Sequence, residues 1–167
     1  LEHLGTKIER MHLEMTLEEK IQKILSEKKI DYEVFDHEPV YTNPAMSQAL
    51  SVSEAETVKT LVLATKEGGI IAVVLPGDRR VDWKAVARAA QSRKVSFAKA
   101  DVVLEQVGCE VGCVPPFGHF RSLPVYLDER LAKTPFIYFN PGRHDKSYRI
   151  AGAALEALCE PVWLEEK

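Results

Sequence analysis

Two β-branched, apolar runs at 58–65 and 70–75 are separated only by Lys66-Glu67-Gly68-Gly69, a turn of the hairpin type. Pro76-Gly77-Asp78 ends the second run. This pairing constrains the chain most. An isolated two-stranded hairpin is marginal in water, so the rest of the sequence has to supply further strands and a covering layer. Thr16 followed by Glu19 forms a capping box, and Leu17, Ile21, Ile24 and Leu25 then repeat at helical spacing. Lys28 and Lys29 suit the negative end of that helix dipole. A strand is predicted at 32–35 and is broken by His37-Glu38-Pro39. Asn43 as a cap before Pro44 predicts a short helix at 44–50, and a helical turn follows at 53–57. Further helices are predicted at 81–91, 100–107 (ended by Gly108), 128–133 and 153–159. Short strands fall at 95–97, 125–127, 136–139, 148–150 and 162–164. Strands and helices intermix without a steady alternation, so the fold class is α+β: one domain with a mixed, mostly antiparallel sheet surrounded by helices.

Composition bounds the function. The chain has 167 residues, 46% hydrophobic and 28% charged, the balance of one globular domain and not of a disordered or fibrous chain. A cleaner pattern begins at Met15, so 1–14 is read as an extra N-terminal segment before a domain at 15–167. Cys109, Cys113 and Cys159 make an odd count, which argues for a reduced, cytoplasmic setting. Cys109 and Cys113 lack the second ligand pair a zinc site needs, and no metal or cofactor is expected. The charged N-terminus and the lack of an apolar run of about 18 residues argue against a signal peptide or a membrane partner.

Lys59 shares a strand face with Leu61 and Leu63 by alternation. An ammonium there either snorkels to water or serves as a cation at a pocket floor. In the stretch 112–118, Gly112-Cys113-Val114-Pro115-Pro116-Phe117-Gly118, two prolines rigidify a loop between glycines. It reads as a structural turn or as a frame of backbone groups facing a ligand. The polar loop 142–147 offers an anion site or a solvated tip, with His144 its titrating group. His119 reads as a packed or surface histidine. Cys113 reads as a buried thiol, or as a nucleophile if a base lies near.

Three of these pieces stand in order and spacing that resemble the YbaK/prolyl-tRNA editing-domain family. They are Val58-Lys59-Thr60-Leu61-Val62, the 112–118 loop and Asn140-Pro141-Gly142-Arg143. The stretch 32–39 and Val73-Val74-Leu75-Pro76-Gly77-Asp78 also look like the family. The resemblance implies a free-standing aminoacyl-tRNA deacylase that clears mischarged tRNA, with Cys- or Ala-tRNA(Pro)-like esters as first substrates. It implies catalytic roles for Lys59, Gly112 and His144. Substrate-binding roles fall to Val114, Pro115, Pro116, Phe117, Gly118, Gly142, Arg143 and Tyr32. The implied partners are the tRNA acceptor end and a synthetase. The chemistry agrees with the absence of a recognisable triad: an activated ester chiefly needs a positioned water and a stabilised oxyanion.

The net charge of −3 argues against general nucleic-acid coating, yet 78–99 holds seven basic against two acidic residues. By charge alone this is a solvated helix face. With the resemblance, Arg79, Arg80, Lys84 and Arg88 become expected tRNA backbone contacts. The competing readings are a non-catalytic module that binds tRNA or a synthetase, and a hydrolase acting through Cys113.

Overall fold

A computed structural model describes residues 15–165; the segment 1–14 lies outside the described residues. The first helix, α1 (Leu17–Glu27), is capped by Thr16, whose Oγ1 accepts from the Glu19 amide at 3.1 Å, and it buries Leu17, Ile21 and Leu25. The hairpin forms as β2 (Val58–Thr65) and β3 (Ile70–Pro76), in register from Val58↔Pro76 to Ala64↔Ile70.

The strands fall into two sheets. A five-stranded mixed sheet has the order β4 (Val95–Phe97), β2, β3, β5 (Val125–Asp128), β8 (Val162–Leu164). Its β2–β3 and β2–β4 pairs are antiparallel, and its β3–β5 and β5–β8 pairs are parallel. An antiparallel three-stranded sheet has the order β1 (Glu33–Asp36), β7 (Lys146–Ala151), β6 (Phe136–Phe139). The sheets meet through one parallel bridge, Thr57↔Tyr138.

The main core lies between the sheets. It gathers Val58, Val62 and Val74 from one sheet, Phe139, Tyr148 and Ile150 from the other, and the buried stripe of α1. Helix α4 (Ala100–Val107) adds Val103 and Val107. The opposite face of the large sheet, with Leu63, Val73 and Leu75, is covered by Val86 of α3 (Trp83–Ala89). A third cluster, Val40, Met46 and Tyr138, seats α2 (Asn43–Leu50). Helices α5 (Glu129–Lys133) and α6 (Leu155–Cys159) complete the coverage. Among the described residues no helix is long and apolar enough to cross a membrane.

Two local expectations shift. The cap of α2 is Thr42, whose Oγ1 accepts from the Ala45 amide at 3.2 Å. Asn43 is thereby free to reach further along the chain. Its Nδ2 donates to Thr57 Oγ1 (3.0 Å) and to Val58 O (3.2 Å). Helix α3 begins two residues later than its apolar pattern, because Asp82 Oδ1 accepts from the Ala85 amide at 3.0 Å and fixes the first turn there.

Candidate active site

Strand β4 covers β2 only opposite Leu63, Ala64 and Thr65, with one further bond from the Ala98 amide to Val62 O (3.0 Å). The outer edge of β2 from Val58 to Leu61 therefore lacks a strand partner among the described residues. Val58 O and Val62 O both point to this edge, since Asn43 and Ala98 bond them there. Alternation then turns the peptide N–H and C=O of Thr60 to the same side. Thr60 Oγ1 is buried and has no hydrogen-bond partner among the described residues.

A cavity of about 230 Å³ opens along this edge. One wall is Lys59, Thr60 and Val62; facing walls come from Tyr41, Asn43 and Met46 near α2, and from Val103, Val111, Gly112 and Val114. Phe97 and Asn140 complete it. Gly112 has φ +95°, a left-handed conformation that glycine adopts without the usual penalty. A β-carbon there would find room, its nearest neighbour being His144 Cε1 at 3.6 Å, so backbone conformation is what requires glycine.

Lys59 is half-buried where β2 begins, and its Nζ donates weakly to Gly77 O at 3.4 Å. Burial lowers its pKa below the ordinary lysine value; Asp78 and Glu54 oppose that, while Arg80 adds to it. Arg80 does not line this cavity, and the attraction of Asp78 outweighs its repulsion, so the positive charge at the rim is that of Lys59.

His144 stands behind the cavity wall. Its Nδ1–H donates to Val40 O (3.1 Å), its Nε2 lies 3.3 Å from Glu110 Oε2, and its ring packs 4.5 Å from Tyr41. It thus ties the Val40-Tyr41 segment to the loop carrying Gly112. Between Gly112 and Val114, Cys113 turns into the main core, 2% exposed. A hydrogen bond from Cys109 pulls its thiol down to about 7, against the effect of burial, and pushes Cys109 up. His144 contributes to that lowering, but Cys113 is not among the residues that line the cavity.

The loop divides after Val114. Pro115, Pro116 and Phe117 are buried. Phe117 stacks edge-on against Phe139 at 5.4 Å, and Gly118 packs on Ile21 and Ile24 of α1. His119 is buried too; its Nε2–H donates to Pro115 O (2.7 Å), and burial lowers its pKa. Gly142 is placed by the hydrogen bond its N–H donates to Cys113 O (3.1 Å). Arg143 forms ion pairs with Asp145 (2.9 Å) and Glu18 (3.4 Å). Tyr32 stacks flat on Tyr148 at 5.4 Å. The structure thus brings Lys59, Gly112 and Val114 to one cavity and sets His144 behind it. Pro115, Pro116, Phe117, Gly118, Gly142, Arg143 and Tyr32 support the surrounding frame and do not line the cavity. Arg79, Arg80 and Arg88 share a second hollow with Asp82, Asp128 and Glu165; Lys84 lies in a third.

Sequence reasoning did not single out Tyr41, Thr60, Phe97 or Asn140. Two signals were available: Thr60, a hydroxyl inside the strand already marked by Lys59, and Asn140, the first residue of the Asn140-Pro141-Gly142-Arg143 piece. Replacing Thr60 by Val keeps the side-chain shape and removes an unpartnered buried hydroxyl, so stability should rise by about 1 kcal/mol in a denaturant titration. A fall of similar size would mean that the hydroxyl has a partner in solution.

The model of the aminoacyl-tRNA editing domain matches residues 37–158. The multifunctional Ser/Thr-tRNA deacylase ProXp-y of Escherichia coli K12 is 27% identical over 147 residues, covering 86% of this chain and 88% of that protein. The prolyl-tRNA editing protein ProX of Acetoanaerobium sticklandii is 31% identical over 151 residues, with 87% and 92% covered. A solved structure proposed to be a trans-editing enzyme for prolyl tRNA synthetase superposes with a TM-score of 0.80 at 25% identity, covering 90% of this chain and 96% of that one. The chain belongs to the aminoacyl-tRNA editing domain family. Its class of activity is that of an aminoacyl-tRNA deacylase.

Proposed function

We propose that this protein is a trans-editing factor that hydrolyses small, wrongly attached amino acids from tRNA in the cytoplasm, with cysteinyl and alanyl esters of proline tRNA as first candidates and seryl esters next. The cavity along the open edge of β2 carries this reading. At about 230 Å³ it lies below the roughly 300–1,000 Å³ of ordinary ligand pockets, and its walls are mostly apolar. A space of that size suits a small side chain and excludes larger ones, the size sieve that editing requires.

The chemistry follows from the groups present. The ester's carbonyl and α-amino groups meet backbone N–H and C=O groups at Thr60 and Gly112. Water adds to the carbonyl carbon; the bond to the ribose oxygen breaks; that oxygen leaves with a proton from the water. Backbone donors fixed in place stabilise the oxyanion without reorganising, which is worth orders of magnitude in rate. Lys59 holds the terminal adenosine or its phosphate at the rim. Gly112 shapes the wall, and His144 holds the loop that carries it. Arg79, Arg80, Lys84 and Arg88 supply backbone contacts to the acceptor arm, and a synthetase is the natural docking partner.

The test is release of amino acid from a panel of Cys-, Ala-, Ser- and Pro-charged proline tRNAs. Release from at least one of the small, non-cognate esters, with the prolyl ester spared, is expected. Folded protein that binds the panel without turnover would establish the non-catalytic module instead.

A further inference from the structure

Phe97 belongs to two surfaces. It lines the cavity along β2, and it also lines a shallow hollow on the outer side of β4 with Trp83, Lys84, Arg93, Lys94 and Ser96. The two rings meet edge to face, their centres 5.1 Å apart, and both are open to solvent: Phe97 is 62% exposed and Trp83 39%. Three cations line this hollow and no carboxylate does. The Glu67 carboxylate beyond it, bonded by Ser92 Oγ (2.6 Å) and the Arg93 amide (3.2 Å), offsets part of the Arg93 charge and leaves the hollow net positive. The arginine-lined hollow differs in this respect, since Asp82, Asp128 and Glu165 sit among its cations.

Exposed aromatic rings beside a net-positive lining are the usual means of holding single-stranded nucleic acid: bases stack on the rings, and phosphates meet the charges. We propose that the Phe97–Trp83 corner is the platform for the unpaired 3′ nucleotides of tRNA, with a base stacked on Phe97 and the adjoining phosphates on Lys84, Arg93 and Lys94. This rests on the deacylase reading and extends it. Because Phe97 faces both spaces, a strand stacked on it passes directly to the cavity where the aminoacyl group would lie. The occupant is a flexible single strand, since a base must be free of its pair to stack on a protein ring.

The chain has two tryptophans, so Trp163→Phe leaves Trp83 as the sole indole reporter. The probe is the uncharged tetranucleotide ACCA, titrated at low salt. Saturable quenching of Trp83 is expected, with affinity reduced about tenfold or more in Phe97→Ala, the loss of one base stack, and retained in Phe97→Tyr. A blunt RNA duplex containing the same strand should bind markedly more weakly. No quenching, unchanged affinity in Phe97→Ala, or equal binding of the duplex would overturn the proposal. Deacylation of the charged panel by the unmodified protein is scored separately. Turnover without quenching rejects the platform alone, and quenching without turnover rejects the deacylase reading alone.

Discussion

Lys59→Ala is expected to lower kcat/KM for deacylation by about 10²- to 10³-fold, the scale on which removal of one preorganised charged or oxyanion-binding group is felt. Stability should change little. The ammonium makes one long hydrogen bond, to Gly77 O, and it is only half-buried. Gly77 is buried, but the bond lost from its carbonyl is at the long limit, so the cost should stay within about 1 kcal/mol. Burial also lowers the pKa of Lys59. The cation is lost as pH rises, at a lower pH than for an ordinary lysine. The enzymic rate, after subtraction of spontaneous ester hydrolysis, should fall along that alkaline limb. Steady-state kinetics and a denaturant titration check both parts. An alanine variant that keeps most of its rate would remove Lys59 from the mechanism.

Gly77→Ala carries the largest expected structural effect. A β-carbon at this position would lie 2.0 Å from Thr57 Oγ1, 2.7 Å from Asn43 Nδ2 and 2.8 Å from Glu54 O. The last is backbone and cannot rotate away. Glu54 and Thr57 are themselves held by a short 3-10 turn, Glu54–Glu56, with a capping box, and the Gly77 amide donates to Thr57 O at 2.8 Å. Overpacking of this kind should cost about 3 kcal/mol. For a chain of this size that corresponds to a fall in Tm of roughly 6–12 °C. Activity should fall as well in the fraction still folded, because Asn43, Val58 and the acceptor of Lys59 would all move. Calorimetry and deacylation on the same sample check it. A variant with unchanged Tm would show that the turn at 54–57 yields readily.

The outline of the fold was legible because its signals are local. Gly68 and Gly69 mark the β2–β3 turn, Thr16 and Glu19 mark the start of α1, and Gly108, at φ +96°, ends α4. The division into two sheets was not legible. It depends on which distant strand each segment joins, and β1 pairs with β7, more than a hundred residues away. Lys59 was legible as a charge in an apolar strand. The limits of the 112–118 loop were not, because a rigid Gly/Pro run reads the same whether it borders a cavity, as Gly112 and Val114 do, or packs in a core, as Phe117 does. Asn43 shows a related ambiguity: Thr42 and Asn43 are both good caps, and only the position of Val58 and Thr57 decides which one is freed.

The open edge of β2 has a consequence for how specificity can change. Every aminoacyl ester presents the same amino and carbonyl groups, and on the proposed reading these are met by the protein's own main chain. Side-chain selection is then left to Met46 and Val103, on two different helices, and to Val111 and Val114, which flank Gly112 in its loop. A substitution at Met46 or Val103, each on a helix apart from both, resizes the pocket without touching the strand of Thr60 or the loop of Gly112. Hydrolysis and choice of amino acid are thereby separable traits. The fold can drift from one mischarged amino acid to another by single wall substitutions, with no intermediate that has lost the reaction.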